Sequence, residues 1–173
     1  LIHSNVYSIA QDHTGYMWFA TENGLSRFDG ITFENKTLIE LGLTSYISSV
    51  YVDENNIIYL GTGTDGIFKY TPISGKIEKV NKTPVEPSSQ IVIKNEELIS
   101  LHEIHFIEIL SKKYGTIISE DSVFLKNTDN KALSVHKLKN ERVLLGRIDG
   151  LYEILENKKS KLKIIGLGNE PIY

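Results

Sequence analysis

The stretch DHTGYMWFATENGLSRFDG, residues 12–30, places glycines at positions 15, 24 and 30, with short alternating apolar and aromatic runs between them. Glycine reaches positive φ without steric cost, and Gly15, Asn23-Gly24 and Asp29-Gly30 are spaced for tight turns between short strands. The spacing predicts an antiparallel meander of four strands at residues 6–11, 16–21, 25–28 and 31–36, with type I′ hairpins at Asn23-Gly24 and Asp29-Gly30.

The same pattern recurs. VYSIAQDHTGYMWFATENGLSRF (residues 6–28) aligns with ISSVYVDENNIIYLGTGTDGIFKY (residues 47–70), setting Asp12 on Asp53 and Trp18 on Tyr59 at a shift of 41, and Gly24 on Gly66 at 42. LSVHKLKNERVLLGRIDGLYEI (residues 133–154) sets Leu144 on Trp18 and Gly150 on Gly24, both at 126, which requires a further copy between. A degenerate one stands at SQIVIKNEELISLHEIHFIEI (residues 89–109). Four units then occupy residues 4–37, 46–81, 89–119 and 132–166, and a repeat of this length built from four strands is that of a β-propeller blade. The expectation is an all-β chain, a β-propeller fragment of about four four-stranded antiparallel blades, forming one partial propeller over residues 1–173. Residues 95–113, NEELISLHEIHFIEILSKK, have the most helical composition, yet their Ile and Phe alternation and their register favour strands. VFLKN, residues 123–127, has no place in the repeat.

Composition limits the function classes. The chain has 173 residues, 40% hydrophobic and 24% charged, which suits an ordinary globular protein with a sizeable core. A net charge of −3 offers no general attraction for nucleic acid, and no apolar run is long enough to span a membrane as a helix. With no cysteine there are no disulfides or thiolate metal sites. The opening LIHSN lacks an initiator methionine and a signal pattern, and the closing GLGNEPIY reads as the approach to another blade; both suggest a fragment. An open arc of blades exposes apolar flanks, so self-association of the fragment is expected, as a two-fold pair closing an eight-bladed ring.

The residues of the first unit resemble the two-component regulator propeller repeat, whose pattern is roughly Asp-x-x-Gly-x-hydrophobic-Trp-x-Gly/Ala-Thr-x-x-Gly-Leu-x-Arg-hydrophobic-Asp. Asp12, Gly15, Trp18, Ala20, Thr21, Gly24, Leu25, Arg27, Phe28 and Asp29 match it. The second unit keeps Asp53, Gly61, Thr62, Gly66 and Tyr70 with Tyr59 for the tryptophan, the fourth keeps Gly146 and the DGLYEI run, and the third keeps almost none. The Gly-His and Trp-Asp pairs of WD repeats, the Gly-Gly pair of kelch repeats and the spacing of the sialidase Asp-box do not fit. The resemblance implies the sensor region of a bacterial membrane receptor, on the periplasmic or extracellular side, joined in the full-length protein to a histidine kinase, hybrid kinase-regulator or diguanylate cyclase. On that reading the membrane is reached only through parts of the chain beyond this fragment.

Candidates for chemistry are few. His102 and His105 in HEIH stand three apart, which on a strand aims them to opposite faces, so no metal site and no cofactor is expected. Asp12, Gly15, Trp18, Gly24, Asp53, Tyr59, Gly66 and Gly150 read as structural repeat positions, the aspartates bonding their own turns and Trp18 packing between blades. In a meander the second turn of each unit shares a face with the links between units. That face collects Glu22, Asn23, Thr64, Asp65, His102, Glu103, Arg147 and Asp149, with the links LIELGLTSY and NKTPVEPSS. Acids, an amide and an arginine suit hydrogen bonding to an oligosaccharide or another small polar ligand, without catalysis. A protein-interaction scaffold is the alternative reading, and a propeller hydrolase or lyase the third.

Overall fold

The computed structural model describes residues 1–80, 88–94, 97–102, 106–113, 116–124, 132–140, 142–147, 150–154 and 162–164. The described elements are sixteen strands in four antiparallel four-stranded sheets, each a meander in chain order. The first blade is β1 (Val6–Gln11), β2 (Met17–Thr21), β3 (Gly24–Phe28) and β4 (Phe33–Thr37). The second is β5 (Ile47–Val52), β6 (Ile58–Thr62), β7 (Ile67–Thr71) and β8 (Lys76–Lys79). The third is β9 (Ser88–Lys94), β10 (Glu97–His102), β11 (Phe106–Lys113) and β12 (Thr116–Phe124). The fourth is β13 (Ala132–Lys137), β14 (Val143–Arg147), β15 (Gly150–Ile154) and β16 (Leu162–Ile164). The chain divides into two compact units, Leu1–Ile91 and Val92–Tyr173.

Residues 97–102 and 106–113 pair as antiparallel strands, so the helix-like composition there gives way to strand pairing. VFLKN finds part of its place in the same sheet. Val123 lies opposite Ile107 and Phe124 opposite Phe106, so they end β12, while residues 125–127 lie outside the described residues.

Strand alternation sorts the first two blades into opposite faces. Trp18, Ala20 and Leu25 of the first blade and Ile47, Val50, Ile58, Leu60 and Tyr70 of the second form one buried cluster, to which the link adds Leu41 and Leu43. Trp18 is 3% exposed and meets Tyr70 edge to face at 6.1 Å, so the tryptophan is core between blades rather than an open stacking platform.

The first turn of the repeat is built twice in the same way. Asp12 N–H donates to Tyr16 O at 2.9 Å and Gly15 N–H to Asp12 O at 3.0 Å; Asp53 N–H donates to Ile57 O and Asn56 N–H to Asp53 O, both at 3.0 Å. Gly15 has φ 95° and Asn56 has φ 57°, so asparagine fills the left-handed position where glycine stood one repeat earlier.

The type I′ expectation fails at both later turns. That geometry needs positive φ at both central residues, and Asn56 is the one non-glycine with positive φ among the described residues. Gly24 lies inside β3 at φ 144°, where an added Cβ would sit 2.1 Å from Lys36 O, so close approach of β4 demands glycine there. At Asp29 the side chain itself organises the turn, accepting from Ile31 N–H at 2.7 Å and Thr32 N–H at 2.6 Å, and only Gly30 takes a positive φ, of 101°.

A bulge recurs in the first strand of three blades. Register shifts between Val6 and Ser8, between Ile47 and Ser49 and between Ala132 and Ser134. The serine after each bulge faces a small residue: Ser8 opposite Ala20, Ser49 opposite Gly61, Ser134 opposite Gly146. An added Cβ on Gly146 would lie 2.7 Å from Ser134 Oγ, which explains why the second strand carries a small residue after its large one. Ser8 Oγ accepts from Val50 N–H at 3.2 Å and ties the first blade to the second.

Candidate functional site

In the first unit, the β2–β3 turn, the link between blades and the β6–β7 turn converge on one rim through specific bonds. Glu22 N–H donates to Asn5 O at 3.2 Å, Leu38 N–H to Asn23 O at 3.2 Å and Gly63 N–H to Tyr46 O at 2.9 Å. The bulge in β1 leaves Tyr7 as the extra residue, freed from cross-strand pairing. Its hydroxyl donates to the Glu22 carboxylate, and its ring lies 5.0 Å from that of Tyr46 at a 40° tilt. Gly63 seats the second ring, because a Cβ there would come within 2.6 Å of Tyr46 Cε1. Tyr7 remains 48% exposed, so the rim presents an aromatic face beside a carboxylate.

Electrostatics keep the Tyr7 hydroxyl a donor. Its hydrogen bond to Glu22 raises the phenol pKa, and the Glu22 charge adds to the effect.

Asp65, half-exposed, braces the loops. Its carboxylate accepts from Thr44 N–H at 2.6 Å, Ser45 N–H at 2.9 Å and Ser45 Oγ at 3.2 Å, as well as from the Thr44 hydroxyl. Burial pushes its pKa up, but these bonds outweigh that and hold the group below its ordinary value, hence ionised. Thr64 N–H donates to Ser45 Oγ at 3.0 Å while its side chain stays exposed, as does that of Asn23. Of the expected ligand residues, Glu22, Asn23 and Thr64 stand on this rim, and Asp65 braces its loops. His102 ends β10 and Arg147 ends β14 in the second unit, while Glu103 and Asp149 lie outside the described residues. Tyr7 and Tyr46 were missed. A tyrosine in an alternating strand reads as packing, and only the bulge turns Tyr7 to the rim.

The repeat positions show their own chemistry. Asp12 Oδ1 accepts from Thr14 N–H at 2.9 Å, Thr14 Oγ1 at 2.6 Å and Tyr16 N–H at 3.0 Å, and its Oδ2 from Trp18 Nε1–H at 2.9 Å. Partial burial raises its pKa, yet these donors bring it below the usual carboxylate range. Asp53 accepts from Asn55 N–H at 2.9 Å and Ile57 N–H at 2.8 Å. Burial, then the Asp53 charge and Tyr51, push the Tyr59 phenol up to about 12. HEIH is only partly visible, since residues 103–105 lie outside the described residues. Among the described residues, no group of three or more His, Asp or Glu is placed to hold a metal.

A second depression lies between the first two blades, lined by Trp18, Tyr70, Arg27 and Lys36 among others. Arg27 is already engaged, 3.5 Å from Glu34 and stacked 4.0 Å above the Tyr16 ring. This depression is therefore the weaker candidate.

Comparison with known proteins fits this geometry. Residues 1–23 match the family described as two component regulator propeller. No curated protein matches the chain. Among solved structures, the chain is similar to the extracellular domain of a hybrid two-component system of B. thetaiotaomicron, at 20% identity and TM-score 0.72 over 94% of this chain and 22% of that one. A second such domain from the same organism matches at 18% identity and TM-score 0.52, over 94% of this chain and 30% of that one. Virginiamycin B lyase from Staphylococcus aureus matches at 15% identity and TM-score 0.71, over 96% and 57%. The fold is that of the β-propeller, represented by four blades, and the chain spans about a quarter of the length of the two-component domains it resembles.

Proposed function

We propose that this chain is part of the extracytoplasmic propeller of a bacterial two-component receptor, and that the rim of its first unit recognises a small hydroxyl-rich ligand, an oligosaccharide foremost, without chemical conversion. Residues 1–173 contribute four blades to a longer propeller, and a kinase output belongs to the rest of the receptor. The observation that carries the ligand reading is the exposed Tyr7 ring, paired with the half-buried Tyr46 ring, beside the Glu22 carboxylate. Tyrosine rings offer broad apolar area at low entropic cost, and a carboxylate gives charge-assisted bonds to hydroxyl groups. The repeat at residues 1–23 and the likeness to two extracellular receptor domains support the setting.

The test is calorimetric titration of the chain against a panel of oligosaccharides. Binding that weakens at least tenfold in Tyr7→Ala and Tyr46→Ala, with melting temperature held, supports the reading. Binding indifferent to both substitutions removes the rim as the site. If no saccharide binds while a protein co-purifies through this rim, the scaffold reading replaces it.

A further inference from the structure

The interblade depression suits a different chemistry from the rim. Arg27, Glu34 and Lys36 reach it from β3 and β4, and Tyr70 and Pro72 from the second blade, beside Trp18. It shares no lining residue with the Tyr7–Tyr46 rim. Its volume is about 90 Å³, against roughly 10–15 Å³ for one water, which leaves room for a carboxylate on a short carbon chain.

Tyr70 is 4% exposed, yet its hydroxyl has no hydrogen-bond partner among the described residues. A buried phenol usually has one. The oxygen is not sealed away, because Ser49 Oγ is the one unpartnered side-chain polar atom out of reach of solvent among the described residues. A donor therefore stands ready in the wall of the depression.

Two cations stand beside it. The Arg27 guanidinium lies 4.0 Å above the Tyr16 ring and 5.7 Å from that of Trp18, and its contact to Glu34 joins one nitrogen to one carboxylate oxygen at 3.5 Å. A guanidinium carries five N–H donors, and stacking occupies its face but not its edge. Lys36 is half-buried and forms no ion pair among the described residues; its charge is felt at Glu40, whose carboxylate Thr37 already binds at 2.7 and 2.8 Å. Arg27 and Lys36 against Glu34 leave the lining one positive charge in excess. That balances a carboxylate, whereas a phosphate dianion would stay half-neutralised beside Glu34.

We infer that this depression binds the carboxylate of a small organic acid, with Lys36 and the free edge of Arg27 as charged donors and the Tyr70 hydroxyl as the third. The site goes beyond the rim and does not depend on it.

Trp18 is the single tryptophan of the chain, so its indole N–H gives one peak in a proton–nitrogen correlation spectrum. Titration with propionate at fixed ionic strength is expected to shift that peak saturably, and propionamide, its neutral isostere, to leave it in place. Lys36→Gln should weaken the titration about tenfold or more, and Tyr70→Phe, which keeps the ring against Trp18, about threefold. Melting profiles that match the wild type establish that the variants fold; for one that does not, Arg27→Lys, which keeps the charge and loses the planar fork, takes its place with a similar loss expected. A shift that does not saturate, an equal shift from propionamide, or a titration indifferent to Lys36→Gln overturns the inference. Phosphate binding more tightly than propionate overturns it too, since the single excess charge would then not be setting the choice.

Discussion

Trp18 Nε1–H donates to Asp12 Oδ2 at 2.9 Å, so the first turn and the interblade core are joined by a single bond between two residues six apart. The aspartate and the tryptophan that mark the repeat act as one device. Its carboxylate folds the turn with one oxygen and orients the indole with the other. Trp18→Phe keeps an aromatic ring in the cluster but loses this charge-assisted bond, and is expected to cost about 1.5–3 kcal/mol in urea unfolding. Trp18→Ala also empties the site and should cost about 3–5 kcal/mol. Equal losses in the two variants would mean that packing at Trp18 contributes little.

Gly15 and Gly24 should respond in opposite ways to a side chain. A Cβ on Gly15 meets nothing within 4 Å, and Asn56 already occupies the equivalent turn, so Gly15→Asn is expected to shift stability by less than about 1 kcal/mol. Gly24→Ala places a Cβ 2.1 Å from Lys36 O at φ 144° and should cost roughly 2–5 kcal/mol by strain and displacement of β4. Thermal melts of the two variants side by side check the contrast.

Acid should loosen the first unit through carboxylates that the fold holds ionised. Asp12, Asp29 and Asp65 all have pKa values below the ordinary one. A depressed folded-state pKa gives stability that is complete above the unfolded value of about 3.9 and is lost as pH falls through the folded value. Melting temperature should therefore hold down to about pH 5 and fall steeply below about pH 4. Asp65→Asn is expected to melt lower at neutral pH and to show a shallower acid limb. An unchanged acid limb in that variant would deny the Thr44–Ser45 clamp its role.

At the alkaline end the sign reverses. The Tyr59 phenol is raised to about 12, so the folded state keeps its proton while the unfolded chain releases it near pH 10. That contribution is complete below about pH 10 and disappears as pH rises through the folded value. A spectrophotometric titration should show a tyrosine ionising near pH 12, and Tyr59→Phe should remove that step. Loss of the late step without a change in the alkaline stability limb would separate the titration from folding.

The repeat was legible because its marks are local. Asp12 and Asp53 each build a turn from their own neighbours, and a shift of 41 suffices to pair them. Gly24 misled for the opposite reason. Asn-Gly is a local hairpin signal, but the demand for glycine comes from Lys36 O on another strand, which no dipeptide reveals. The bracing role of Asp65 was not legible, because the path of the link that brings Thr44 and Ser45 to it is a tertiary fact. Substitution by role also hides repeats. Arg27 stacks on Tyr16 in the first blade, and at the equivalent positions of the fourth Arg142 bonds Glu153 at 2.8 Å, with the cation moved to the other strand. A search for residue types reads these as unrelated, consistent with a family match confined to residues 1–23.

The bulge in β1 has a consequence for how such a sheet can change. Tyr7, Ser48 and Leu133 occupy the same bulge position in three blades, an aromatic, a small polar and an aliphatic residue, while the serines that follow them are identical. Cross-strand neighbours constrain every other position of the strand through register. At this one place the ladder exerts no veto, and the blade carries an interchangeable socket. What the first blade shows its surroundings through Tyr7 can be exchanged in one substitution, with the sheet around it left unaltered.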